Sequence, residues 1–479
     1  MTKCKRNWFT IVIPVVTFGL LALCFPVGIA NDSQQFMTMH IHRDPLYCLF
    51  LWVLRLCFGE NNDFYLQIAK WLQNILAAVS AIFLTNTVSK TYLKSEKVFP
   101  YSNQILNQRM VFIIEILISF LCVSPHIITP FASQTRLILS NSILSESITL
   151  PLFYFYIGSM ILMIESERIW DKYSVFALLT AWLLSLARGQ MMVMIIAYLI
   201  VKIIGCIRKS SESKVKLLRD IAFVLATFVI SFGLRFLTVN TYNLVFNGHF
   251  MGTAYSDVTL LTNVLYASDS DAEQLIEDEK ARRFFSIAKA KMDECGYSYL
   301  NSDEGFLARG EHLESHHDDI KFECIEECWR EIHHLEGGVF SEDYVLEAIE
   351  QDRVASVIFK SIVPSCFGRW LYNYLALCVF GFVRTVAIMN VPFLIYAVLI
   401  YLFIAIFVLV SFRCSKGDEH RKILRLALFT LLTVCANVCG TATVIMCLSR
   451  YMIYCLPLVY ILLVLIANMM LKKYLSERY

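Results

Sequence analysis

The residues best placed to do chemistry begin with Asp32. It follows an apolar run, residues 8–29, and opens the stretch Asn31-Asp32-Ser33-Gln34-Gln35-Phe36, with His40-Ile41-His42-Arg43-Asp44-Pro45-Leu46-Tyr47 close behind. A carboxylate at the mouth of a first membrane helix, then a cation, proline, leucine and aromatic opening an amphipathic segment, can hold a charged lipid headgroup and deprotonate a hydroxyl beside it. A second acid, Glu146, opens the apolar run 143–164. Arg188 sits in the tight connection Arg188-Gly189-Gln190, and Arg450-Tyr451 opens the last apolar run. Ionisable residues cost about 2.5–3.5 kcal/mol each at the centre of a membrane helix, so each one is a site candidate. Arg136 and Arg235, taken singly, read as helix anchors that snorkel to the interface. Glu115 reads as a structural hydrogen-bonding residue within its span.

The elements that must position these groups follow from composition. The chain is 57% hydrophobic and 17% charged, with a mean hydropathy of +0.58; soluble domains carry roughly 25% charged residues. Ten runs are apolar enough to cross a hydrocarbon core of about 30 Å: residues 8–29, 64–84, 111–128, 143–164, 173–187, 191–207, 221–237, 391–412, 423–446 and 451–470. The fifth and sixth form a hairpin pivoting on Arg188-Gly189-Gln190. With the N-terminus inside, the short cytoplasmic segments hold 23 Lys/Arg and the short outer loops five. The positive-inside rule therefore sets both termini in the cytoplasm and Asp32 on the outer face of a cell membrane. The first run is too long for a signal-peptide core and lacks a small-x-small cleavage site, so it is expected to stay as a membrane helix.

Formal net charge is only +2, but the charge is segregated: residues 241–353 hold 25 Asp/Glu against 9 Lys/Arg, a net of −16. Four parts are expected: a transmembrane module at 1–240 with a first outer loop at 30–63, an acidic extracytoplasmic region at 241–353, interfacial or re-entrant helices at 354–388, and C-terminal transmembrane helices at 389–479. In the first outer loop, residues 43–59 read as an interfacial helix. Helical spacing of apolar residues predicts helices within 271–292 and 318–334, with turns at Gly296, Gly305, Gly310 and Gly337-Gly338. The apolar stretch 370–383 is 14 residues long and bounded by Arg369 and Arg384, so it is expected to lie at the interface. Most of the sixteen cysteines fall inside spans and act as small apolar residues. Cys295 bonded to Cys324 or Cys328 is one option on an oxidising side; the four-residue spacing of Cys324 and Cys328 favours packing on one helical face.

No phosphate-binding Walker loop, dinucleotide glycine fingerprint or Gly-x-Ser-x-Gly elbow is present, and a net of −16 on the polar region argues against nucleic acid. His40 and His42 are spaced either to share a divalent metal or to be a plain loop pair. His312 and His316, one helical turn apart, form a weaker pair of the same kind.

Taken in order, these motifs resemble GT-C superfamily glycosyltransferases, the bacterial membrane enzymes related to protein O-mannosyltransferases and aminoarabinose transferases. The resemblance rests on Asp32 with Phe36 after the first span, Arg43-Asp44-Pro45-Leu46-Tyr47 opening an interfacial helix, Ser145-Glu146-Ser147-Ile148, Leu186-Ala187-Arg188-Gly189, and Arg450-Tyr451 with Leu456-Pro457. It implies an all-α, multi-pass, GT-C-like bundle of about ten transmembrane helices with interfacial helices and a small helical extracytoplasmic domain. It also implies transfer of a sugar from a polyprenyl-phosphate donor to an extracytoplasmic glycan, lipid or protein acceptor, with inversion. Asp32 and Glu146 would be the catalytic acids, and Arg43, Arg188 and Arg450 would hold the donor phosphate. The rival readings are a transporter or flippase of a lipid-linked sugar and a non-catalytic membrane partner protein. A transporter commonly shows paired, Gly/Pro-broken spans in two similar halves, which this sequence lacks.

Overall fold

The structure is a computed structural model that describes residues 8–93, 104–132, 136–209, 213–335, 344–387, 393–414 and 417–478. Those residues are 85% helical with no strand among them. In chain order, α1 (Trp8–Cys24), α2 (Ser33–Met37), α3 (Pro45–Phe58) and α4 (Asn62–Val88) lead into α5 (Gln104–Ala132), α6 (Glu146–Glu165), α7 (Lys172–Ala187), α8 (Val193–Lys209) and α9 (Lys214–Asn247). A polar region follows, with α10 (Ser256–Ala267), α11 (Glu279–Glu294), α12 (Phe306–Asp319) and α13 (Cys328–Leu335). The chain ends in α14 (Tyr344–Arg384), α15 (Leu394–Cys414), α16 (Asp418–Val444), α17 (Ser449–Met452) and α18 (Leu456–Arg478). Nine helices of the described residues are long and apolar enough to cross a membrane, the architecture of a helical multi-pass membrane protein. Each of the ten apolar runs read from the sequence coincides with a helix.

The first run stops early. Its helix ends at Cys24 because Pro26 has no N–H to continue the ladder and disfavours helix in the residue before it. The segment expected at the interface is a helix from Pro45 to Phe58, with Pro45 at its first position, where the missing N–H costs nothing. It buries Tyr47, Cys48, Leu51 and Leu54 and leaves Val53, Leu56 and Phe58 exposed. At the centre, α6 is buried on nearly every side, down to Ser147, Thr149 and Ser159. At the periphery, α9 exposes Phe223, Val229, Ile230 and Phe236, an apolar surface whose natural solvent is lipid.

The stretch 370–383 does not form a separate element. It is the last third of the 41-residue α14, which also runs unbroken through the boundary set at 353/354. Charges at Asp352, Arg353, Lys360 and Arg369 interrupt its apolar pattern without breaking the helix. The N-terminal end of α14 packs Ala348, with Val345 and Ile349, on Ile41 and Ala254. At its other end, Arg384 donates to the Cys447 carbonyl at 2.9 Å and pairs with Glu314. About 60 Å long if straight, α14 is one of the nine helices long and apolar enough to cross a membrane, and it carries Pro364 midway along its length.

In the polar region, Gly296 and Gly305 take positive φ at turns. Gly310, expected at a turn, instead lies inside α12 at its crossing with α14, where a Cβ would fall 2.6 Å from Cβ of Ala376 and 3.0 Å from the Phe380 ring. Gly337-Gly338 lies outside the described residues. Cys295, Cys324 and Cys328 are free thiols; Cys324 and Cys328 pack in the core, so no disulfide joins this region. Gly310→Ala is expected to cost about 1–3 kcal/mol by overpacking two rigid helices, read as a lower thermal unfolding midpoint of the purified protein. Gly233→Ala, where a Cβ meets nothing within 4 Å, should be neutral or slightly stabilising in the same assay.

Candidate functional site

A buried polar clamp sets the segment between α1 and α3 against the start of α6. The Gly28 N–H donates to the Asn141 carbonyl at 2.9 Å, and the Ile143 N–H donates to the Gly28 carbonyl at 2.8 Å. The Asn141 side chain donates to the Leu21 carbonyl at 2.9 Å and accepts from Asn74 of α4 at 2.8 Å. Ser33 donates to the Ile143 carbonyl at 2.8 Å and accepts from the Ala30 N–H at 2.9 Å. These bonds fix Asp32, just before α2, relative to Glu146, the first residue of α6.

Both acids line one cavity of 1130 Å³. Arg43, Arg188 and Arg450 line it too, so all five residues singled out as catalytic or phosphate-holding converge there. Asp32 remains 40% exposed and pairs with Arg43 at 2.7 Å. Arg43 is held in turn by Gln35, which accepts from its Nε at 2.7 Å, and by the Phe36 ring, 4.9 Å below its guanidinium carbon. The Phe36 side chain thus supports the cation beside Asp32.

Glu146 is in different surroundings. Its side chain is only 3% exposed and lies 2.7 Å from Arg188 and 3.6 Å from Arg450. Tyr451 packs against both guanidiniums, at 4.2 and 4.9 Å from its ring centre, and its hydroxyl accepts from Arg450 at 2.7 Å. The carboxylate is engaged by two cations. That geometry lets Glu146 aim two arginines while it lines the cavity itself.

Two further residues hold the site together. Asp44 accepts from the Gly189 N–H at 2.6 Å and pairs with Arg235 at 3.3 Å, joining the start of α3 to the α7–α8 hairpin and to α9. Arg235 is therefore an ion-pair partner at the cavity wall, not a lone anchor; Arg136 is not among the lining residues. A signal for the Asp44 contact was present in sequence only as an acid ahead of a proline. On the cap side, Glu311, Glu314, Asp318, Asp319, Lys321 and Glu326 line the cavity, as do Tyr255 and Arg384. Their only sequence signal was an acidic region following the membrane helices.

The histidines fall beside the cavity. His42 lines it and His40 does not. Their rings lie 4.3 Å apart, His42 stacks on Tyr255, and His40 Nδ1 accepts from the His42 N–H at 3.2 Å. No group of three or more metal-ligating side chains occurs among the described residues. His312 and His316 pack with Tyr266 and Tyr297. Away from the cavity, Glu115 accepts from the Ser89 hydroxyl, a structural contact between α5 and the turn ending α4. Compared with known proteins, the chain matches no family model, no curated protein and no solved structure.

Two expectations follow. Glu146→Gln should destabilise the protein by about 3–5 kcal/mol, because it leaves buried guanidiniums uncompensated, whereas Asp32→Asn, in a part-exposed pair, should cost at most about 1 kcal/mol; unfolding midpoints in detergent compare the two. Burial, and then Arg43, push His40 down from 6.5 to about 4. Between those values the unfolded chain binds the proton and the folded one does not, so its contribution is intact above pH 6.5 and is lost as pH falls toward 4. Melts at pH 7.5, 5.5 and 4.5 should show this acid loss, and His40→Gln should reduce it.

Proposed function

We propose that the protein is an integral-membrane glycosyltransferase of GT-C type, taking a sugar from a polyprenyl-phosphate donor. The observation that carries this reading is the pairing within one cavity of an accessible carboxylate, Asp32, with the guanidiniums of Arg43, Arg188 and Arg450. Phosphate esters of membrane lipids are held by such arginines through bidentate, charge-assisted bonds, and a carboxylate next to them is a natural general base.

In this reading Asp32 takes the proton from an acceptor hydroxyl. The acceptor oxygen bonds to the anomeric carbon from the face opposite the phosphate. The bond from that carbon to the phosphate oxygen breaks, its electron pair leaving with the polyprenyl phosphate, and the configuration inverts. Arg43 uses Nε and one terminal nitrogen on Gln35 and Asp32, which leaves its other terminal nitrogen for a phosphate oxygen. Arg188 and Arg450, oriented by Glu146, meet the charge that builds on the leaving group. The acidic cap closes over an acceptor of glycan, lipid or protein nature, and the site faces the non-cytoplasmic side, as the distribution of Lys and Arg favours.

The test is turnover in lipid nanodiscs with sugar-loaded polyprenyl phosphates, following release of polyprenyl phosphate. Asp32→Asn is expected to lower turnover by about 10²–10⁴-fold with donor binding retained; a folded variant with full activity would remove the base assignment. Arg43→Ala should weaken donor use more than acceptor use, and equal effects on both would count against its phosphate role.

A further inference from the structure

The cysteines are not evenly spread over the fold. Cys378 of α14 and Cys435 and Cys439 of α16 gather where those two helices pack, and Cys447, in the turn after α16, joins them. All four are free thiols. The helices are pressed together here. A Cβ on Gly381 would fall 2.7 Å from Cγ1 of Val438 and 2.9 Å from Sγ of Cys447, and the Tyr374 hydroxyl donates to the Cys439 carbonyl at 3.5 Å. Tyr374, Cys378 and Gly381 follow one another at helical spacings of four and three, so they share a face of α14. Cys378 is thus held between two residues that both meet α16 at 438–439.

Two of the thiols meet. Cys378 and Cys439 share a side-chain hydrogen bond, and the Tyr374 hydroxyl bonds to both sulfurs. The other two are placed differently. Cys447 donates from Sγ to the Val438 carbonyl at 3.6 Å. Cys435 stands one turn from Cys439 on the same helix, side by side with it rather than facing it. Cys439 is partly exposed whereas Cys378 is buried, so one sulfur can be reached from outside and the other waits behind it. Packing alone asks only for small apolar side chains and does not require two sulfurs and a phenol hydroxyl to converge.

We infer that Cys378 and Cys439 form a dithiol–disulfide site, oxidised by a membrane-permeant peroxide, whose closure staples α14 to α16 beside the cavity. In the first step the Cys439 sulfur gives up its proton and attacks one peroxide oxygen. The O–O bond breaks, the departing hydroxide takes the proton as water, and Cys439 becomes a sulfenic acid. In the second step the Cys378 sulfur attacks that of Cys439, the S–O bond breaks, and the hydroxide leaves as a second water with the Cys378 proton. Two electrons pass from the two sulfurs to the peroxide. Cys378 lies half a turn before Phe380 and Cys439 about a turn and a half before Val444, and both of those residues line the cavity. The bond would fix these two parts of its wall to each other, whatever the cavity binds.

The experiment uses the full chain in lipid nanodiscs, titrated with hydrogen peroxide, alkylated, and mapped by mass spectrometry. The parent protein is expected to lose the mass of two hydrogens, and the linked 378–439 peptide should exceed any other cysteine pair about tenfold. Dithiothreitol should reverse the change. Oxidation should also raise the unfolding midpoint by about 2–4 °C, because the bond closes a long loop. Cys378→Ala should stop Cys439 at the sulfenic acid, trapped as its dimedone adduct, while Cys435→Ala should still form the bond. Should either variant fail to fold, the peptide map of the parent decides by itself. Linkage mainly between other cysteines, an unchanged pair under conditions that oxidise the exposed Cys57, or a linked protein with an unmoved midpoint overturns the inference.

Discussion

A carboxylate that is 3% exposed has to be compensated, and Glu146 is compensated twice. Arg188 arrives from the hairpin between α7 and α8, and Arg450 from α17. The three groups come from parts of the chain about 40 and 300 residues apart, and none of them is stable there without the others: an unpaired buried ion costs several kcal/mol. The central helix, the hairpin and the C-terminal helices therefore meet at one point. Tyr451 lies against both guanidiniums. What the site can do with an anion follows from this arrangement, because the orientation of both arginines is set before any ligand arrives.

The segment between α1 and α3 reaches that point by hydrogen bonds rather than charge. Asn141 binds the end of α1 through the Leu21 carbonyl and α4 through Asn74, while Gly28 and Ile143 exchange a backbone bond. Asp44 performs the corresponding task on the other side, with one oxygen on the Gly189 N–H and the other on Arg235. Asp32 sits between these two fixed points and is the acid with room to move. That contrast, between a buried carboxylate with two cations and an accessible one beside Arg43, separates two residues that sequence alone treats alike.

Much of the helical frame was legible because membrane helices announce themselves by length and apolarity. The pivot at Arg188-Gly189-Gln190 and the helix after Asp44 were legible for the same reason, with Pro45 marking the start. The meeting of Asp32 and Glu146 in one cavity was expected from their place at helix ends. The rest depended on contacts that a linear pattern does not carry. Asp44 and Arg235 are 191 residues apart, and each alone looks like an ordinary interfacial charge. α14 was hidden because Asp352, Arg353, Lys360 and Arg369 divide its apolar face, although a helix tolerates them where Arg353 and Lys360 meet water, Asp352 accepts from the N–H groups of Asp257 and Val258, and Arg369 pairs with Asp269. Lys321 was hidden by composition: one lysine in a region of net −16 reads as part of a solvated surface until the rings of Tyr255 and Phe322 are seen around it.

The length of α7 carries one more consequence. Its 16 residues rise about 24 Å, less than the roughly 30 Å of a bilayer's apolar core, and it stops at Ala187 on the cavity wall. A helix this short would cross a bilayer only where the lipid thins around it.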